Sequence, residues 1–135
     1  MNILIDTNVA LDIALKRPNF FKTSKEAVQN AILHSHRLFF LSSSVTDYYY
    51  ILKKNKISKE NAIKSIKNLA LYTSFVSVDE TTIFQALQSH ISDFEDAIID
   101  VTATNIKADI ILTRNKKDFI NSNNKVLTPE EFLSL

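Results

Sequence analysis

Four aspartates, Asp6, Asp47, Asp96 and Asp118, together with Asn115, are the side chains on which the chemistry of this sequence turns. Each stands where an apolar run ends or a helical pattern begins. In a parallel α/β sheet the helices run back against the strands, so helix N-termini and strand C-termini share one edge. By that argument all five residues reach the same edge. Several carboxylates on one crest repel one another, and a bound divalent cation is the usual remedy.

The elements that must position them can be read from the apolar spacing. Ile3-Leu4-Ile5 is a short, fully buried strand that ends at Asp6. A first helix runs from about Asn8 to Leu15, closed by Pro18. A second is expected to open at the capping pattern Thr23-x-x-Glu26 and to carry Ala27, Val28, Ala31 and Ile32. Leu38 to Leu41 is the second strand, and Ser42-Ser43-Ser44 supplies an N-cap for a helix carrying Val45, Tyr48, Tyr49 and Leu52. Ser58 starts another helix. A third strand spans about Ser74 to Val78, followed by a helix capped by Asp79. A helix starting near Asp93 leads to the fourth strand, Asp109 to Thr113. Lys125-Val126-Leu127 is a short fifth strand, and Thr128-Pro129-Glu130-Glu131 opens a last helical turn. Strands alternating with helices give a parallel sheet covered on both faces, as a single domain.

Composition narrows the chemistry. The 135 residues contain no glycine. Phosphate-cradling loops need glycine for close backbone approach, so a P-loop and a dinucleotide-binding G-x-G-x-x-G are excluded, as is a G-x-S-x-G nucleophile elbow. No cysteine means no disulfide framework and no thiolate chemistry. The net charge of +1 leaves any polyanion binding to local patches. Asp6 interrupts the N-terminus too early for a signal peptide, and no apolar run is long enough to span a membrane. A cytoplasmic protein is the expectation.

Acids are also favoured at helix N-termini by capping and by the helix dipole, with no function required. Ser44-x-x-Asp47 and Asp93-x-x-Asp96 both read as cap pairs, and Asp79 reads as a cap alone. Singly, each acid has that explanation. The set argues for a site, because Asp6 ends a strand and Asp118 sits in a loop.

Taken together, four stretches resemble the PIN-domain ribonucleases. Leu4-Ile5-Asp6-Thr7-Asn8-Val9 is similar to that family's opening motif, and Ser43-Ser44-Val45-Thr46-Asp47 to its second. Asp93-Phe94-Glu95-Asp96-Ala97 and Leu112-Thr113-Arg114-Asn115-Lys116-Lys117-Asp118-Phe119 match the third and fourth. The resemblance covers essentially the whole chain. It implies a three-layer α/β/α fold with a central parallel sheet of strand order 3-2-1-4-5, and Asp79 outside the site. Many members are VapC-like toxins of toxin–antitoxin pairs that cut RNA with magnesium or manganese. Two departures stand out: Asp47 replaces the usual Glu, and Asn115 occupies a position that usually carries an acid.

The resemblance implies that Asp6 and Asp96 are the central ligands of Mg2+ or Mn2+, with Asp118 taking over from Asn115 and Asp47 completing the acidic ring. Asn8 and Asn115 would contact substrate phosphate, joined by Arg17, Arg114 and Lys116. Thr7, Asp93 and Thr113 would support the acids. An antitoxin and a second copy of the chain are the implied protein partners, with Tyr48-Tyr49-Tyr50 and the apolar outer helices as the dimer surface. Those tyrosines offer stacking surface for bases as well, although at least one must face the core. Lys53, Lys54, Lys56, Lys59, Lys64 and Lys67 either track RNA or form a solvated helical face. His34 and His36 lack an evident third ligand and read as a helix end beside solvent.

Other readings remain open on these residues. A PIN fold kept as a binding or regulatory module, catalytically weak, fits the Asp47 and Asn115 departures. A phosphoacceptor receiver domain also places an Asp at a strand end, but wants a pair of acids after its first strand. A haloacid-dehalogenase-type phosphatase needs acids two apart, where this chain has Asp6 and Asn8.

Overall fold

The computed structural model describes residues 1–135. Five strands form one parallel sheet: β1 (Asn2–Ile5), β2 (Arg37–Leu41), β3 (Ser74–Val76), β4 (Ile110–Leu112) and β5 (Val126–Leu127). Their order is β3-β2-β1-β4-β5. Seven α-helices connect them: α1 (Thr7–Ala14), α2 (Phe21–Leu33), α3 (Val45–Lys54), α4 (Lys59–Tyr72), α5 (Glu80–Leu87), α6 (Phe94–Asn105) and α7 (Pro129–Leu133).

Alternation along the central strands sorts the core into layers, because successive side chains point to opposite faces. Ile3, Ile5, Ile110 and Leu112 pack on one face with Val9 of α1, Ala27, Val28 and Ala31 of α2 and Phe132 of α7. Leu4 and Ile111 face the other way, onto Ala86 of α5 and Ala97, Ile98 and Ala103 of α6. A third cluster joins Phe40 of β2 to Tyr48 and Leu52 of α3 and to Ala62 and Leu69 of α4. β1 is buried on both faces, which is why it reads as an unbroken aliphatic run.

The expected caps Ser58, Asp79, Asp93 and Thr128 all accept a backbone N–H of their helix, and Thr128 with Glu131 closes a capping box. Three expectations are corrected. α2 begins two residues before Thr23, with no side-chain cap at Phe20. Left-handed residues at Lys16 and Asn19 turn the chain into the helix early, and the Phe20 ring is held under the Arg114 guanidinium, 4.1 Å away. The Ser42–Ser44 run forms a 3-10 turn leading into α3 and caps nothing. β3 stops at Val76, short of the expected Val78.

Without glycine, four helix ends place other residues in the left-handed region: Lys16, Ser35, Lys56 and Lys107. After α6, Ala108 N–H donates to Ala103 O (2.8 Å) and Lys107 N–H to Thr104 O (3.1 Å), the pair of hydrogen bonds that closes a helix C-terminus. A Cβ at this conformation is strained against the following carbonyl. Replacing the exposed Lys107 with glycine should therefore stabilise the protein by about 0.5–1 kcal/mol, and valine should destabilise it by at least as much. Urea midpoints of Lys107→Gly and Lys107→Val against wild type check this.

Candidate active site

Sheet register brings the first pieces together. Ile5 pairs with Leu112, so the next residues, Asp6 and Thr113, emerge side by side at the carboxyl edge. Asp6 N–H donates to Leu112 O (2.9 Å), and the Thr113 hydroxyl donates to Asp6 Oδ2 at 2.7 Å. The other carboxylate oxygen, Oδ1, accepts Thr7 N–H at 2.7 Å at the start of α1. Asn8 Nδ2 donates to Asp6 Oδ2 (3.3 Å) and to Thr113 Oγ1 (3.4 Å), while Asn8 Oδ1 accepts Arg114 N–H (3.2 Å). Thr113 Oγ1 also accepts Asn115 N–H at 3.1 Å, which starts the turn carrying Asp118. Asp6 thus does more than cap α1: it joins the ends of β1 and β4.

Asp118, Asp96 and Glu95 lie close enough to Asp6 for the charges to act on one another, and Asp47 and Asp93 adjoin Glu95. Burial pushes the Asp6 carboxyl above its ordinary value, and the Asp118 charge adds to that; hydrogen bonds from Thr113 and Thr7 oppose it. Asp96, in the first turn of α6, is pushed up to about 7, by burial first and then by Asp6, Asp93, Asp118 and Glu95. Glu95 is raised too, by partial burial and then by Asp47, Asp6 and Asp93. Asp93 Oδ1 takes Asp96 N–H at 3.0 Å, so the cap role falls to Asp93 and leaves the Asp96 carboxylate to the crest. Asp79 stands apart. Its carboxylate accepts the N–H and hydroxyl of Thr82, which hold it below the usual range.

The cations go elsewhere. Arg114 Nε is 2.8 Å from Asp12 Oδ2, and Arg17 Nη1 is 3.3 Å from Asp12 Oδ1. Lys116 Nζ is 2.8 Å from Glu131 Oε2. None of these ion pairs includes a crest acid. The lysines that do approach are Lys53 and Lys54, which line a cleft of about 710 Å³ with Thr7, Asp47, Tyr50 and Glu95. Asp47, Tyr50 and Lys54 are spaced i, i+3 and i+7 and share one face of α3. Tyr48 is buried in the core and Tyr49 is partly covered, leaving Tyr50 as the exposed ring of the three.

Two residues escaped the sequence reading. Glu95 sits within a stretch already singled out; one cap explains one acid, and the density of three in four residues was the available signal. Asp12 is fully buried, four residues after Asn8 on the same face of α1. A charge inside an otherwise apolar helix demands a partner, and the chain has only Arg17, Arg37 and Arg114 among its arginines.

Residues 2–117 match the family model of the PIN domain. The chain belongs to the PIN-domain family. No curated protein matches it significantly. Among solved structures it is similar to VapBC2 from Rickettsia felis bound to a promoter DNA fragment, with TM-score 0.74, 15% identity, and 95% of this chain and 98% of that one covered. A toxin–antitoxin complex from Klebsiella pneumoniae gives TM-score 0.70 at 20% identity, covering 94% and 97%. VapC20 of Mycobacterium tuberculosis, a toxin that cleaves the sarcin-ricin loop, gives 0.64 at 14% identity, covering 81% and 86%. At these identities the likeness establishes the fold. The strand order also separates this PIN domain from receiver domains, whose order is 2-1-3-4-5.

The donor set fits a hard divalent cation. Its ligands would be carboxylate oxygens, and no imidazole or thiolate competes. The acids do not converge into a closed cage, since no three of them are grouped tightly enough to hold an ion alone. Magnesium suits such an open arrangement, because it keeps several waters and needs only one or two carboxylates.

Two predictions follow from these charges. The folded PIN domain binds the Asp96 proton more tightly than the unfolded chain, so this contribution to stability is complete at low pH and is lost as pH rises through about 7. Asp6 and Glu95 act in the same direction. In EDTA, urea midpoints of the wild type should fall between about pH 5 and about pH 8, and Asp96→Asn should flatten that slope. Asp12→Ala strips two arginines of their partner. Their side chains keep 31% and 26% of their surface exposed, which softens the loss. Destabilisation of about 2–3 kcal/mol is expected in denaturant titration, below that of a fully enclosed pair.

Proposed function

We propose that this PIN domain is a metal-dependent endoribonuclease, the toxin of a toxin–antitoxin pair, hydrolysing RNA phosphodiester bonds at the acidic crest. The observation that carries the reading is the register-locked Asp6, raised in proton affinity among Asp96, Asp118 and Glu95, beside a cleft that also presents Lys53 and Lys54. The solved structures of similar fold add support: one is of a toxin that cleaves an RNA loop, and others are toxin–antitoxin complexes.

Asp6 and Asp96 would hold Mg2+ or Mn2+, with Asp118 as the third acid and Asp47 at the cleft side. Such an ion supplies Lewis acidity toward the scissile phosphate and an activated water. The protein's own contribution is orientation. Thr113, Asn8 and Thr7 fix both oxygens of Asp6, so the carboxylate needs no reorganisation when substrate arrives. Lys53 and Lys54 draw the backbone phosphates into the cleft, and exposed Tyr50 offers a stacking face. Asn115 opens the Asp118 turn and stands where a neutral amide can meet phosphate. Arg17, Arg114 and Lys116, already paired with Asp12 and Glu131, serve substrate only by releasing those partners. His34 and His36 line a hollow with Met1, Phe132 and Leu133 and offer the crest no base.

The protein partners proposed are an antitoxin and a second copy of the chain, for which exposed Phe84 and Leu87 of α5 offer apolar surface. A second reading, a PIN fold retained for binding, is favoured by the open spacing of the acids. One experiment separates them: total RNA is incubated with wild type, Asp6→Asn, Asp96→Asn and Asp79→Asn, with magnesium or with EDTA, and the same preparations are melted and sized by light scattering. Cleavage should require magnesium or manganese, fall by orders of magnitude in Asp6→Asn and Asp96→Asn, and survive in Asp79→Asn. Magnesium at about 100 times its Kd should stabilise the wild type by about 2.7 kcal/mol, and less in the first two variants. Absence of cleavage by folded, metal-loaded protein leaves the binding reading, and cleavage that persists in EDTA sinks the metal mechanism. A monomer at all concentrations removes the second copy.

A further inference from the structure

Asp47 and Glu95 are shared by two clefts of opposite character. On one side lies the cleft with Lys53, Lys54 and Tyr50. On the other lies a smaller one of about 300 Å³, walled by Val78, Ile83, Phe94 and Ile98, with Ser43 at its edge and no cation in its lining. Phe94 is 48% exposed although it sits between Asp93 and Glu95, in the turn that delivers Asp96. Ile83 is likewise exposed, at 40%. An exposed aromatic ring beside this cleft offers a face on which a planar group can stack.

We propose that this second cleft is a base subsite: it takes the base of a nucleotide flanking the scissile phosphate, stacked against Phe94. The inference rests on the ribonuclease reading and deepens it. Charge decides which part of the nucleotide enters. Asp47 and Glu95 repel a phosphate, and nothing in the lining offsets them, whereas the neutral base meets apolar walls and an aromatic face. The backbone is drawn the other way, toward Lys53 and Lys54. A strand crossing the crest is therefore split, its phosphates on the lysine side and one base on the phenylalanine side. The cleft lies at the small end of ligand pockets, a size suited to one base rather than a protein segment. The Ser43 hydroxyl and the Glu95 carboxyl at its rim can read the base edge, which makes the cleft a source of sequence preference.

The test uses a short single-stranded RNA that the wild-type protein cuts with magnesium at one mapped bond. The bases on either side of that bond are replaced, one at a time, by abasic ribose. One of the two replacements should lower kcat/KM by about tenfold or more, the other by much less. Phe94→Ala should lose the distinction between intact and abasic RNA, and Phe94→Leu should lose most of it. Broadened cleavage-site preference is expected in both. Equal cleavage of intact and abasic RNA by the wild type overturns the subsite while leaving the nuclease standing. Absence of cleavage of any RNA overturns both. A fall in molecular mass by light scattering in Phe94→Ala assigns the cleft to a second copy and overturns the subsite.

Discussion

The hydrogen bond from the Thr113 hydroxyl to Asp6 joins the two central strands at the point where both stop being sheet. Asp6 and the turn that follows β4 take their positions from that contact. Asp6 is set by it directly, Asn8 closes over it, and the turn to Asp118 begins from the same hydroxyl through Asn115. A side-chain hydrogen bond in a site this buried is strong because the dielectric is low and the alternative, an unsatisfied carboxylate oxygen, is expensive. The register of β1 against β4 is in turn held by Ile3, Leu4 and Ile5, which fill two different cores. A slip of one residue would exchange those cores and separate Asp6 from Thr113.

The electrostatics divide the acids into two kinds. Asp12 is wholly buried, and the fold spends two arginines and a phenylalanine ring to compensate it. The crest acids receive no such treatment, although burial and mutual repulsion raise the proton affinity of Asp6, Glu95 and Asp96. Arg17 and Arg114 both pair with Asp12, so no crest acid has an ion-pair partner, although the Arg114 charge still opposes the raised proton affinity of Asp6.

Much of this was legible in the sequence. The aliphatic runs mark β1, β2 and β4, because a parallel strand is buried on both faces, and the caps at Ser58, Asp79, Asp93 and Thr128 announce their helices. Strand order followed from the family resemblance, as pattern alone does not say which strands are neighbours. Asp6, Asp96 and Asp118 could be placed on one edge by helix and strand polarity. Asp12 and Glu95 left only indirect signals, a charge within an apolar helical stretch and a third acid beside one cap, and neither signal says which side chain the acid meets. The start of α2 was missed at Thr23, where a local cap signal lost to the tertiary contact between Phe20 and Arg114. Tyr48, Tyr49 and Tyr50 look alike in sequence and part company only on the helix surface.

The contact between Asp6 and Thr113 spans 107 residues. A ribosome adds about 5–20 residues per second, so a growing chain displays Asp6 and then Asp47 for several seconds before β4 exists. During that interval β1 has at most one neighbour, β2, and the junction with β4 that holds Asp6 does not exist. Asp6 and Asp47 emerge first, and Asp96, Thr113 and Asp118 complete the edge last. A chain that stops before β4 lacks the Thr113 hydroxyl and the turn to Asp118, so the edge at which Asp6 stands is not assembled.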